Sequence, residues 1–169
     1  MKWKDKLIDK LIKELKEESN SVTKTLEKSS VGVHLAIFNE PFLALLYKGE
    51  KKMESRFSIN KISPYNRIAK NDIVIMKSSG GPVTGFFVAG DVLFFSNLTD
   101  SKRNEIKKKY SKEICSDYDP DFWVNRKETN YATLIEVKEV TPLNPFRIEK
   151  RDRSAWSILQ ANPESHLNL

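Results

Sequence analysis

The run Gly85-Phe86-Phe87-Val88-Ala89-Gly90-Asp91-Val92-Leu93-Phe94-Phe95 narrows what this chain can become more than any other stretch. Aromatic and β-branched residues over that length read as a long strand, and Gly90 marks a bulge or bend within it. A long apolar strand needs partners on both edges. Residues 73–77 and 131–140 supply them, the first joined through the turn Ser78-Ser79-Gly80-Gly81-Pro82 and the second reached across a helical insertion. Two more strands are expected at 33–38 and 52–58. Strands before and after a helical insertion, with no regular strand–helix alternation, predict an α+β fold built on a mostly antiparallel β-barrel with flanking helices.

The helices announce themselves by spacing and caps. Trp3, Leu7, Ile8, Leu11, Ile12 and Leu15 recur at helical intervals, so residues 1–30 are read as an N-terminal amphipathic helix and linker. Its polar face carries acids as well as lysines, which favours packing on the domain or a partner helix over a membrane surface. The main domain is placed at 31–160 and a C-terminal tail at 161–169. Asn39-Glu40-Pro41 offers a cap followed by proline, predicting a helix over 42–48 that Gly49 stops. Thr99 or Asp100 caps a basic helix over 101–114, and Asp119-Pro120-Asp121 reads as another helix start. Beyond Pro142 and Pro145 the chain is expected to run as a basic tail segment ending in Trp156-Ser157-Ile158-Leu159. There is no internal repeat.

Composition sets the class of partner. The 169 residues are 39% hydrophobic and 31% charged, enough for one domain with appendages. A net charge of +6 favours acidic partners, since lysines and arginines facing phosphates gain from counterion release. Cys115 is the single cysteine, which excludes an internal disulfide and a cysteine-based zinc cluster. The charged start, Met1-Lys2-Trp3-Lys4-Asp5-Lys6, has no signal-peptide core, and a cytoplasmic protein without metal or cofactor is expected.

Chemistry concentrates at Gly49, Lys51, Glu54 and Arg56. Gly49 can take the left-handed conformation that ends a helix, delivering Lys51 to the start of the next strand. Glu54 and Arg56, two apart in a strand, point to one side. An ammonium, a carboxylate and a guanidinium thus border one cleft: the cations suit a phosphate or carbonyl oxygen, and Glu54 can accept from a base amino group or act as a general base. An internal ion-pair network fixing the barrel mouth is the alternative use of the same residues.

The pattern G-x-K-x-x-E-x-R, preceded by a strand and a proline-started helix and followed by Asn71-Asp72-Ile73-Val74, resembles the signature of the ASCH domain family within the PUA-like superfamily. Asn130-Tyr131-Ala132-Thr133-Leu134-Ile135-Glu136-Val137 with Pro142 and Pro145 resembles the family's closing strand and exit, so the likeness spans about residues 33–148. It implies a PUA-like fold and a cleft lined by the motif residues. Some bacterial members are amidohydrolases acting on N4-acetylcytidine, with a lysine at the position of Lys51 as the proposed base; others look like ribonucleases. Those amidohydrolases carry threonine where this chain has Glu54, and their further glutamate has Glu113 and Asp117 as counterparts without a secure alignment.

Three functions follow as expectations. The first is a module that holds RNA, a nucleoside or a nucleotide in the cleft bordered by Lys51, Glu54 and Arg56, with Lys107 and Lys108 of the basic helix guiding the backbone. The second is a hydrolase using Lys51 and Glu54 as its acid–base pair. The third is an interaction protein whose N-terminal helix pairs with a partner or with itself. Tyr118, Phe122 and Trp123 could stack bases beside the basic helix, though inward packing suits them as well. Arg147, Lys150, Arg151 and Arg153 form a second basic group. His34, in an apolar strand, is read as a buried histidine, His166 as part of a disordered tail, and Cys115 as an unactivated thiol.

Overall fold

Alternating side chains divide each central strand between two faces, and both faces are covered. The computed structural model describes residues 2–18, 24, 26 and 30–166. Its elements are α1 (Trp3–Glu18), β1 (Val33–Phe38), α2 (Phe42–Tyr47), β2 (Met53–Ser58), β3 (Ile73–Ser78), β4 (Val83–Phe95), α3 (Asp100–Ile114), β5 (Tyr131–Phe146) and β6 (Trp156–Gln160), with short 3₁₀ turns at Ser116–Tyr118, Val124–Arg126 and Pro163–His166. The strands form one six-stranded sheet in the order β2-β5-β4-β3-β1-β6. β1 runs parallel to β3, and the other pairings are antiparallel. The sheet is therefore a mixed half-barrel, mostly antiparallel as expected but open between β2 and β6.

On the outer face, Val33 and Leu35 of β1, Ile73 and Ile75 of β3 and Phe86 of β4 pack against Leu7, Leu11 and Leu15 of α1. The apolar stripe of α1 is thus spent on the chain's own sheet. Much of the linker expected after this helix lies outside the described residues. Farther along the outer face, α3 sets Ile106 and Ile114 on Leu134, with Phe57, Phe122 and Trp123 around them. The inner face buries Phe38, Val74, Met76, Phe87 and Ile135 beneath α2.

β4 is central, as its composition predicts, and its pairing with β5 shifts register between Ala89 and Val92, around Gly90. There a Cβ on Gly90 would come within 2.4 Å of Glu136 Oε2. The carboxylate of Glu136 uses this space to accept from Asp91 N at 3.0 Å.

Four sequence expectations are corrected. Asn39 does not cap α2: Pro41 occupies that position, and the Glu40 carboxylate reaches Ala44 N instead, at 3.1 Å. The helix read from Asp119-Pro120 is not formed: Asp119 Oδ1 accepts a capping bond from Asp121 N at 3.0 Å, but Phe122 N closes a turn onto Asp119 O at 3.1 Å and the chain continues in turns and a 3₁₀ segment. The segment after the basic run is no tail. Trp156–Gln160 is the strand that edges β1, with Trp156 paired to Ala36. Nor is the stretch from 161 loose throughout, since Asn162 is buried, donating to Asp72 Oδ1 at 2.7 Å, and His166 falls in the last 3₁₀ turn. No described helix is long and apolar enough to cross a membrane.

Candidate functional site

Gly49 takes φ +71°, the left-handed turn its position calls for, and the chain leaves α2 with Lys51 turned inward. The Lys51 side chain is only 3% exposed, its Nζ donating to Ile114 O at 2.8 Å and lying 3.5 Å from Glu54 Oε2. Burial pushes its pKa below the usual lysine value, against the opposing pull of Glu54 and Cys115. Glu54 is buried as well, and its other oxygen accepts from Arg56 Nε at 2.9 Å. The three charged motif residues form one connected ion-pair network.

Arg56 does more than neutralise Glu54. Its Nη2 donates to Ile37 O at 2.9 Å and its Nη1 reaches Ala155 O at 3.5 Å, so one side chain of β2 ties the edge of the sheet to β1 and to the approach of β6. The guanidinium lies 5.0 Å from the Phe38 ring and 5.2 Å from that of Trp156. The open seam of the half-barrel is spanned by this arginine. Behind it, Trp156 Nε1 donates to His34 Nδ1 at 3.0 Å, and His34 Nε2 meets Asp72 Oδ2 at 3.0 Å. An imidazole that accepts at Nδ1 is neutral, with its proton on Nε2. Asp72 also accepts from Gly32 N at 2.8 Å, Ala69 N at 2.9 Å and Asn162. Its burial raises the carboxyl pKa, yet hydrogen bonds from His34, Ala69 and Asn162 outweigh that and hold it below the ordinary value. His34 is the buried histidine the sequence suggests, orienting Trp156.

Two cavities flank Arg56. One, about 710 Å³, is walled by Arg56, Trp156, Thr133, Tyr65, Ile62 and Lys61, with Ser58, Ser63 and Asn66 adding polar groups. Tyr65 is fixed edge-on against Tyr131 at 4.9 Å and Phe94 at 5.5 Å, and Ile62 is 59% exposed on the same loop. The second cavity, about 620 Å³, has Glu54, Arg56, Phe38, Phe122 and Arg126 in its lining. The guanidinium of Arg126 stacks 3.6 Å from the Phe122 ring and donates to Phe122 O at 2.8 Å. Burial lowers its pKa, which Asp119 and Glu54 counter. Glu54 and Arg56 border open space, whereas Lys51 lies behind them and lines neither cavity.

The remaining candidates separate. Lys107 and Lys108 are exposed on α3, and neither is in the wall of these cavities. Phe122 and Trp123 pack inward with Phe57, while Tyr118 stays exposed and its hydroxyl donates to Glu50 Oε2 at 3.0 Å. Glu113, in the last turn of α3, has a buried Oε2 without a hydrogen-bond partner among the described residues and lines a smaller cavity of about 420 Å³ with Cys115, Glu50 and Lys52. Asp117 is exposed. Burial raises the Cys115 thiol pKa, with Lys51 opposing and Glu50, Asp117 and Glu113 adding to it, so the thiol stays protonated. Trp156, Tyr65 and Arg126 were not singled out by sequence reasoning as cleft residues; the alternation Trp156-Ser157-Ile158-Leu159 was the one available sign that residue 156 opens a strand.

Among solved structures, the fold superposes on ASCH from Zymomonas mobilis with a TM-score of 0.60 at 13% identity, covering 83% of this chain and 93% of that one. Two single-substitution variants of that protein give TM-scores of 0.58 and 0.61 at 14% identity, covering 80% and 82% of this chain and 94% of theirs. No protein-family model matches the sequence, and no curated protein matches it.

Proposed function

From the premise that this chain has the PUA-like fold of an ASCH domain, we propose that it holds a base of single-stranded RNA, or a free nucleoside or nucleotide, in the cleft beside Arg56. One observation carries the reading: the 710 Å³ cavity sets a rigid aromatic pair, Tyr65 and Trp156, beside the cation of Arg56 and a rim of hydroxyl and amide groups. A base needs flat apolar surface for its faces and scattered donors and acceptors for its edges. Arg56 gives part of its donor set to Glu54, Ile37 and Ala155 and contributes charge to the cavity wall. Lys51 acts through Glu54, keeping its carboxylate oriented toward Arg56, and Lys107 and Lys108 serve the backbone outside the cleft.

Fluorescent single-stranded RNA, duplex RNA and single-stranded DNA, titrated across a salt series beside free nucleosides, test this. Tyr65→Ala is expected to weaken binding by about 1–3 kcal/mol, the worth of one stacked base. Equal affinity in that variant would sink the base-holding role.

A hydrolytic reading is favoured by one feature, the desolvated Lys51 amine 3.5 Å behind Glu54, whose carboxylate borders the 620 Å³ cavity and could act there, backed by Lys51, on RNA or an N4-acetylcytidine-type nucleoside. Lys51→Ala would then abolish turnover while largely sparing affinity. Retained turnover excludes the role.

A further inference from the structure

A further groove lies where α1 meets the chain that leaves β5. Between α1 and residues 147–151 runs a groove of about 640 Å³ whose walls carry Lys2, Lys6, Lys10, Arg147 and Arg151, with Glu149 the one acid. The cations differ in how they are held. Lys4, also in the wall, donates to Ile158 O at 2.9 Å, and Lys10 lies 4.6 Å from the centroid of the Phe146 ring. Lys6, Arg147 and Arg151 are exposed and enter no ion pair among the described residues. Nearby, Lys77 has its pKa lowered by burial and then by the positive charges of Lys150 and Arg147. Cations outnumber acids at this end of the sheet, where Lys150 is paired with Asp152 and Glu149 is the acid in the groove wall. Such an arrangement costs self-repulsion that an incoming polyanion relieves.

We propose that this groove is a phosphate-directed site for the backbone of single-stranded nucleic acid, near the base cleft; it rests on the reading of that cleft given above. The two linings share no residue, and their nearness comes from the chain itself. Arg151 lines the groove, while Ser154, Ala155 and Trp156 line the cleft. Three residues of extended chain span at most about 11 Å, so one strand reaches both. A lipid surface fits less well, because the apolar residues a membrane-bound helix would insert, Leu7, Leu11 and Leu15, are buried against the sheet. The half-barrel would then grip the base, and α1 would lengthen the contact along the backbone.

The test is the triple variant K6Q/R147Q/R151Q of the full chain, compared with wild type and with the charge-keeping K6R/R147K/R151K. Each is titrated with a uridylate dodecamer and with uridine monophosphate over a salt series. Loss of three phosphate contacts is expected to lower the slope of log affinity against log salt by about 2 for the dodecamer. Its affinity at low salt falls by more than tenfold, while the monophosphate changes by less than about twofold and the charge-keeping variant retains the wild-type slope. An unchanged slope overturns the proposal, as does an equal loss for both ligands. Anionic phosphatidylserine vesicles captured in place of the dodecamer, with the same dependence on these three residues, also overturn it. Tyr65→Ala separates the two readings: if it leaves every affinity unaltered while the triple variant still loses the dodecamer, base recognition fails and the groove stands.

Discussion

The seam and the groove are both cationic, and they use charge in opposite ways. At the seam, Lys51 and Arg56 are largely buried and bound to Glu54 and to the carbonyls of Ile114, Ile37 and Ala155. At the groove, Lys6, Arg147 and Arg151 face solvent without ion-pair partners among the described residues. Desolvated charges are tolerable only when paired, so the seam's cations are committed to architecture first. Solvated charges cost little to keep, and phosphates can claim them when they arrive. On the proposed reading, affinity for backbone and selectivity for a base would rest on different residues.

The sharpest way to break this contrast is Arg56→Ala. It leaves Glu54 to Lys51 alone and removes the tie across the half-barrel, and a loss of about 3 kcal/mol is expected in urea unfolding. A loss below about 1 kcal/mol would mean that the seam is not held by this side chain. Asp72→Asn comes next, at about 1–3 kcal/mol near neutral pH, since a carboxylate accepting from four groups is replaced by an amide that must turn one donor toward them. The pH dependence has a definite sign. The folded-state pKa of Asp72 is depressed, so its contribution is present above the unfolded value near 3.8 and is lost as pH falls from there through the folded value. The Asn variant should therefore show a flatter acid limb than wild type when stability is followed from pH 6 downward. An equally steep limb would assign acid sensitivity to other carboxylates, Asp152 first, whose pKa is lowered to about 2 by Lys150 and Ser154 despite its burial.

The smallest effect belongs to α3. Replacing Lys107 and Lys108 together by Gln is expected to change stability by less than about 0.5 kcal/mol, because both are exposed. If both guide the backbone, the salt slope for RNA falls by about 1.4 and the affinity of a mononucleotide stays the same. A changed mononucleotide affinity would bring α3 into the cleft, against the geometry.

Much of this could be read in the residues, for reasons that are local. The long strand around Gly90, the Thr99 cap whose hydroxyl accepts from Lys102 N at 3.1 Å, and the helix stop at Gly49 depend on neighbours in sequence. So does the placing of Glu54 and Arg56 on one side of β2. What failed was decided by groups distant in sequence or by competing side chains. Asp119 makes the capping bond the sequence offers, yet the chain beyond it closes into turns, with Phe122 and Trp123 packed inward against Phe57. Trp156 follows a basic, strand-poor stretch, and only pairing with β1 and a hydrogen bond to His34 make it a wall. The carbonyls that hold Arg56 belong to residues 37 and 155 and leave no mark near residue 56.

The bond from Trp156 to His34 joins residues 122 positions apart. During synthesis from the N-terminus, β1 and β3 can pair long before the last strand exists, but the edge of β1 that β6 will occupy stays bare until residues 156–160 have left the ribosome. For that interval the nascent half-barrel carries an unpaired strand edge and an unfinished cleft, the kind of template on which chains associate wrongly. Truncation anywhere before Trp156 would freeze the protein in that state, because it removes both the strand that covers the edge of β1 and one wall of the 710 Å³ cavity.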